Sequence, residues 1–333
     1  MATYTELTIE QAKALGIAFG LDVRAVTGVP AGSVNSNYRL ELADGTPLFA
    51  RIYEEQGREG AEGEARLLDH LASHGVPTPR PLPRRDGAGF TWVLDIPSRP
   101  STEGEAQTAR PVAVFPWQGG EILCQARVTP DVALKVGQKL AEMHAAGASF
   151  PEPRPGRFRV EDLRARLERI ARAEDAVLRA LVPEIRARLD RAERARDAAL
   201  PHGIIHGDLF RDNILWQNGM PVALLDFESA CDGSWVYDLM VTVLAWCYGA
   251  DLEEALVRAM FRGYAGVRRP SPAELAAMST EGRIGALRFT ITRITDFAMR
   301  TGLGERVVKD YRRFWARHER LEALGGSLAR WFE

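Results

Sequence analysis

The chain is poor in residues that would staple it or fix it to a surface. Its 333 residues include three cysteines, Cys124, Cys231 and Cys247, scattered and without a CxxC pair. That argues against a disulfide frame or a structural zinc site and fits a reducing, cytoplasmic setting. No apolar run approaches the length of a membrane-spanning helix, and the opening MATYTELTIEQ lacks the basic and apolar parts of a secretion signal. An excess of one charge is missing too. Lys and Arg number 43 against 45 Asp and Glu, a net charge of −2, so no bulk attraction to nucleic acid or anionic membrane is expected. Internal repeats and low-complexity tracts are absent. What is present, 46% hydrophobic and 26% charged residues, is ordinary for a soluble globular chain with room for two lobes.

Thr8-Ile-Glu-Gln11 predicts a capping box that opens a short helix ending near Phe19. Three strand-like runs follow, VRAVTGV, NYRLEL and TPLFARIY, with Asp44-Gly45 as a hairpin turn between the last two. EGEARLLDHLASH predicts a helix ended by Gly75, and TWVLD and RPVAVFPW resume strand character. From Thr129 the pattern turns helical, beginning with PDVALKVGQKLAEMHAAG. The charged region from Val160 to Leu200, mixed in sign, predicts a solvated helix with i, i+4 pairs in preference to an RNA-binding face. His70 and His74 stand at i, i+4, but no third ligand is evident for a zinc ion, so a surface pair is expected. The fold class is α+β, with a β-rich N-terminal lobe over residues 1–117 and a mainly helical lobe over 118–333. Polar residues at the junction point to an enzyme with a cleft.

The most informative stretch is HGIIHGDLFRDNILWQNGMPVALLDFESACDG, from position 202. GIIH, NILW and VALLDF are strand-like, yet each meets or carries a polar group that burial would penalise if unpaired. Asn218-Gly219 is a two-residue hairpin signal. A regular ladder centred there pairs Gln217 with Met220 and Asn213 with Leu224, and puts Asp226 diagonal to Asn213, about 7–8 Å away. An amide oxygen and a carboxylate at that separation can share one magnesium ion, with Asp208 a third acid close by.

HGDLFRDN with a downstream LLDFE resembles the catalytic segment of the aminoglycoside phosphotransferase and choline kinase superfamily, which has the protein-kinase fold. The resemblance implies that Asp208 receives the proton of the substrate hydroxyl and that Asn213 and Asp226 hold Mg2+. It makes His206 and Asp238 the residues that prop and tie down the catalytic loop. In FARIYE, Arg51 matches the phosphate-gripping cation and Glu64 its ionic partner; arginine suits the role through its fixed fork. The turn GSVNSNY matches the phosphate-covering loop, with Ser33, Asn35, Ser36 and Asn37 as donors to ATP. Val114, Phe115 and Trp117 match the segment that meets adenine at the hinge.

Within the superfamily, AGSVNSNYRL, HGDLFRDN, YDLMVTVLAWC and GALRFTITRITDF are similar to the type II homoserine kinases of threonine biosynthesis. ESACDGSW departs from that pattern, with Glu228 where an aromatic is expected. The resemblance implies L-homoserine as acceptor, its carboxylate met by Arg288 or Arg293 and its ammonium by Asp296. Arg293 and Asp296 also stand at the spacing of an internal helix ion pair. Trp246 and Tyr237 are candidates for a pocket wall or for plain core. Other acceptors of the same chemistry are an aminoglycoside, choline or another amino alcohol, and a protein serine; the short gap between Asp226 and Asp238 opposes the last. The complete set of Asp208, Asn213 and Asp226 opposes a non-catalytic, nucleotide-binding pseudokinase.

Overall fold

Thr8 opens the first helix, α1 (Ile9–Phe19), with the reciprocal capping box the sequence predicts: its hydroxyl accepts from Gln11 N, and the Gln11 side chain accepts from Thr8 N. The computed structural model describes residues 5–30, 34–95, 109–299 and 309–332. By its internal packing the chain divides into two units, Met1–Gly119 and Gly120–Glu333.

The first unit is built on an antiparallel sheet of five strands: β1 (Val23–Val29), β2 (Ser36–Leu42), β3 (Pro47–Ile52), β4 (Thr91–Asp95) and β5 (Ala109–Pro116). Their spatial order is β1-β2-β3-β5-β4. Alternation along β2 and β3 sends Tyr38, Leu40, Leu48, Ala50 and Ile52 into one core with Leu15 and Phe19 of α1. The one long helix, α2 (Arg58–Ser73), follows β3. It begins four residues earlier than the sequence pattern suggests, because Gly60 and Gly63 weaken the helical signal in its first turns without preventing the helix.

The second unit is mainly helical. The long helices are α3 (Pro130–Gly147), α4 (Val160–Ala171), α5 (Ala176–Arg194), α6 (Trp235–Trp246), α7 (Glu254–Ala265), α8 (Pro272–Arg293) and α9 (Arg312–Leu324). The charged region is thus two helices rather than one, broken ahead of the N-cap Asp175. α8 runs directly into a π-helical turn, Ile294–Ala298. Two short antiparallel pairs carry the signature stretch: β6 (His202–Ile205) with β9 (Cys231–Ser234), and β7 (Ile214–Gln217) with β8 (Met220–Leu224). α6 is apolar nearly all round, and Val236 to Trp246 are buried throughout, as a helix at the centre of a lobe should be.

α3 and α7 pack through glycine. A Cβ added at Gly263 would lie 1.9 Å from Leu134 O, and one at Gly137 would lie 2.1 Å from Met260 O. The two backbones therefore touch. Gly263→Ala should lower the denaturant midpoint by an amount equal to about 1–3 kcal/mol, the usual cost of overpacking. An unchanged midpoint would mean that the helices are not held this close.

Candidate active site

The β7–β8 hairpin turns at Asn218 and Gly219 as predicted, with both φ angles positive, 52° and 72°. Its ladder is not the regular one. Gln217 pairs with Met220 and Trp216 with Pro221, but Leu215 pairs with Ala223 and Ile214 with Leu224, leaving Val222 as a bulge. Pro221 has no N–H to give, and Trp216 O accepts instead from Glu121 N at 2.9 Å. The expected pairing of Asn213 with Leu224 is therefore corrected by one residue: Leu225 N donates to Asn213 O at 2.9 Å. Asp226 stands one step beyond that partner, outside the strand and at φ 64°. Strand alternation no longer sets its direction, and left-handed backbone at an acid marks a position held by its surroundings.

Asp208, Asn213 and Asp226 are brought together. Asn213 Nδ2 donates to Asp208 O at 2.8 Å, which leaves its Oδ1 as an acceptor. Among the described residues Asp226 has no hydrogen bond or ion pair. An amide oxygen and an uncompensated carboxylate are the donors a hard divalent cation takes, so these residues fit such an ion. The His70 and His74 rings are 4.2 Å apart and tilted, and the described residues hold no group of three or more His, Cys, Asp or Glu placed to hold a metal ion. Asp208 is pushed from the usual 3.8 up to about 7, first by burial and then by the charges of Asp226 and Asp212, against the pull of Arg288 and Lys309.

Beneath this group lies a buried network. The Asp238 carboxylate accepts from His206 N and Gly207 N, each at 2.7 Å, and from His144 Nε2 at 2.9 Å. Burial pushes its acidity down, but these donors outweigh it and leave the carboxyl below its ordinary range. His144 is kept neutral by burial, which lowers its pKa. Its Nδ1 then accepts from Tyr264 Oη at 2.8 Å, and Tyr264 accepts in turn from Arg268, itself paired with Glu274 at 2.7 Å. His206 is neutral for the same reason; its Nδ1 accepts from Asp208 N at 3.3 Å and its Nε2 donates to Leu225 O at 2.9 Å. One imidazole thus ties the catalytic loop to the strand that delivers Asp226. Gly207 sits at φ 73° with Ser229 O 3.1 Å from where a Cβ would stand, so only glycine fits.

The residues expected to meet the acceptor divide. Arg288 is 3% exposed and donates to Gly207 O and, at 3.3 Å, to Ser229 Oγ. Asp296 pairs with Arg166 at 2.6 Å, not with Arg293, because it stands inside the π-helical turn that follows Arg293. Arg293 donates to Asp310 O at 3.0 Å and lies over the Phe314 ring. Trp246 is wholly buried and donates to Leu209 O at 2.9 Å, and Tyr237 is buried as well. Both are core, Trp246 with a hydrogen bond to the loop.

In the first unit, Arg51 Nη1 and Glu64 Oε1 pair at 3.3 Å, with Glu64 fully buried and also accepting from Gln56. Ser33 lies outside the described residues. Asn35, Ser36 and Asn37 are buried: Asn35 Oδ1 accepts from Glu54 N, while Ser36 Oγ accepts from Thr5 N and donates to the Glu54 carboxylate. The expected free side-chain donors are thus partly spent inside the sheet, where β2 already begins. Val114 and Phe115 are buried, and Val114 O accepts from Leu82 N at 2.8 Å. Trp117 is 39% exposed, with Arg39 over its ring.

Residues 25–276 match the phosphotransferase enzyme family. The chain belongs to that family. The homoserine kinase of Brucella canis is 32% identical over 332 residues, covering 97% of this chain and 96% of its own; that of Rhizobium etli is 32% identical over 303 residues, covering 90% and 89%. Among solved structures, a microcompartment-associated aminopropanol kinase superposes with a TM-score of 0.68 at 20% identity, over 97% of this chain and 99% of its own. Choline kinase from Cryptosporidium parvum gives 0.67 at 13% identity, over 96% and 99%. Amicoumacin kinase, solved with AMP-PNP and Ca2+, gives 0.68 at 16% identity, over 96% and 94%. The fold is protein-kinase-like, and the chain is an ATP-dependent phosphotransferase with an alcohol acceptor. No helix among the described residues is long and apolar enough to cross a membrane.

The raised Asp208 has a consequence for stability. A carboxyl that holds its proton more tightly when folded contributes fully below its unfolded pKa and loses that contribution as pH rises to about 7. In metal-free protein, Asp208→Asn should therefore match the parent's melting midpoint near pH 4 and exceed it by a few degrees above pH 7. A thermal-shift series over pH checks this; a gap that is absent or closes with rising pH would show that Asp208 ionises without cost.

Proposed function

We propose that this enzyme transfers the γ-phosphate of ATP to the hydroxyl of L-homoserine, with Mg2+ as the metal. The observation that carries the reading is Asp208, a carboxyl poised near neutrality beside Asn213 and Asp226, in a chain aligned almost end to end with homoserine kinases. Phosphoryl transfer needs alignment and charge neutralisation more than covalent chemistry. Asp208 orients the acceptor hydroxyl and takes its proton, a role that suits a carboxyl lifted toward the working pH. Asn213, through Oδ1, and Asp226 hold the metal, which when bound offsets the negative charge of the phosphates. Arg51, kept in place by Glu64, grips phosphate oxygens, and the Val114–Trp117 segment meets adenine. Arg288 positions the loop from behind by holding Gly207 O and Ser229 Oγ, and Arg293 is the residue left for the acceptor's carboxylate.

Purified protein with Mg-ATP should release ADP on addition of L-homoserine in preference to choline, serine or an aminoglycoside. Asp208→Asn should bind nucleotide normally and lose about 10²–10⁴-fold in turnover. Homoserine-independent ADP release, with turnover on another hydroxyl compound, would leave the kinase chemistry and remove the acceptor. Asp226→Ala should weaken Mg-ATP binding while leaving metal-free nucleotide binding unchanged. Equal Mg-ATP affinity of parent and variant by calorimetry would take Asp226 out of the metal site.

A further inference from the structure

Most half-buried cations of the second unit face a carboxylate: Arg188 faces Glu184 at 2.7 Å, Arg268 faces Glu274 at 2.7 Å and Arg166 faces Asp296 at 2.6 Å. Arg293 and Arg317 do not. Among the described residues neither has an ion pair, and the Nε of each is buried without a hydrogen-bond partner. Arg293, on the last turn of α8, has its guanidinium carbon 4.5 Å from the centre of the Phe314 ring. Arg317, on α9, lies 4.3 Å from the same ring and 4.9 Å from that of Tyr248. Phe314 is fully buried and its ring centre is 5.8 Å from that of Phe210, two residues after Asp208. Two cations thus share one aromatic ring at the edge of the catalytic loop.

A ring face attracts a cation but does not neutralise it, and two guanidiniums this near repel each other. Burial brings Arg317 down to about 9, with Arg293, Arg211 and Arg313 adding to the effect and Tyr248 opposing it. It brings Arg293 down to about 10, where the leading opposing charge is that of Asp208. Such a pair costs stability in the free enzyme, and an anion would relieve it. A guanidinium presents its donors in a fixed planar fork, which suits a planar, two-oxygen acceptor.

We infer that Arg317 and Arg293 form the anion subsite of this enzyme and take the carboxylate of the acceptor, which makes Arg317 a specificity-determining residue. The inference rests on the acceptor reading above and extends it to a residue on α9. The pair selects for a hydroxyl compound that carries a carboxylate and against an otherwise identical amino alcohol.

The test compares L-homoserine with 3-aminopropan-1-ol, the same molecule with hydrogen in place of the carboxylate, in ADP-release assays on the parent, Arg317→Gln and Arg317→Lys. In Arg317→Gln the homoserine KM should rise roughly 10–100-fold, the loss of one charge-assisted contact, with the ATP KM unmoved. The ratio of kcat/KM between the two acceptors should fall by the same factor, and Arg317→Lys should recover part of it. The ligand-free melting midpoint of Arg317→Gln should be at or above the parent's. An unchanged homoserine KM, an equal loss on both acceptors, or a midpoint that collapses would each overturn the subsite while leaving homoserine as acceptor. If the parent does not use homoserine at all, calorimetry with 4-hydroxybutanoate decides the subsite separately. Binding to the parent that Arg317→Gln abolishes supports it, and absent or equal binding overturns it.

Discussion

The carboxylate of Asp238 is the point on which the active site hangs. It receives two backbone N–H groups from the catalytic loop and an imidazole N–H from α3. Those loop donors would otherwise be buried without acceptors, at a cost of about 1–3 kcal/mol each. An amide could not replace it, since its NH2 would face donors. The third donor, His144, is set by Tyr264 on α7, and α7 lies where it does because Gly137 and Gly263 let two helix backbones touch. Helix packing is thereby passed, through two side chains and one carboxylate, to the position of Asp208.

The same region concentrates what the rest of the fold avoids. Asp208 is half-buried where its charge is disfavoured, Asp226 takes a left-handed conformation, and Arg293 and Arg317 share a ring. Sites that bind charged ligands carry such costs because each is relieved on binding, and the surrounding structure supplies the stability that tolerates them. The sheet of the first unit, with regular ladders from β2 through β3 and β5 to β4, shows none of this strain at its centre.

Much of this was legible from the chain alone because it is local. The capping box at Thr8, the strand alternation, the Asn218-Gly219 turn and the HxDxxxxN spacing are all written within a few residues of one another. What escaped depends on partners distant in sequence. The bulge at Val222 follows from Trp216 bonding Glu121, some ninety-five residues earlier. His144 and Tyr264 sit in helices whose pattern marks them only as inward-facing, and nothing nearby signals that they share a proton donor chain. Arg317 lies in YRRFWARHER among other arginines, and its neighbours in sequence do not show which rings it meets. The pairing of Asp296 with Arg166 escaped on a different count, since spacing along a regular helix places it beside Arg293, and the helix there is not regular.

That irregularity, the π-helical turn at Ile294–Ala298, is an α-helix carrying one residue too many. Asp296 is the third residue of that turn, so the widened backbone carries its carboxylate off the face it would share with Arg293 three residues earlier, and it meets Arg166 instead. The acid nearest to Arg293 in sequence is thus withheld by the path of the backbone, so the charge left on the last turn of α8 is decided by a helix irregularity that composition alone does not record.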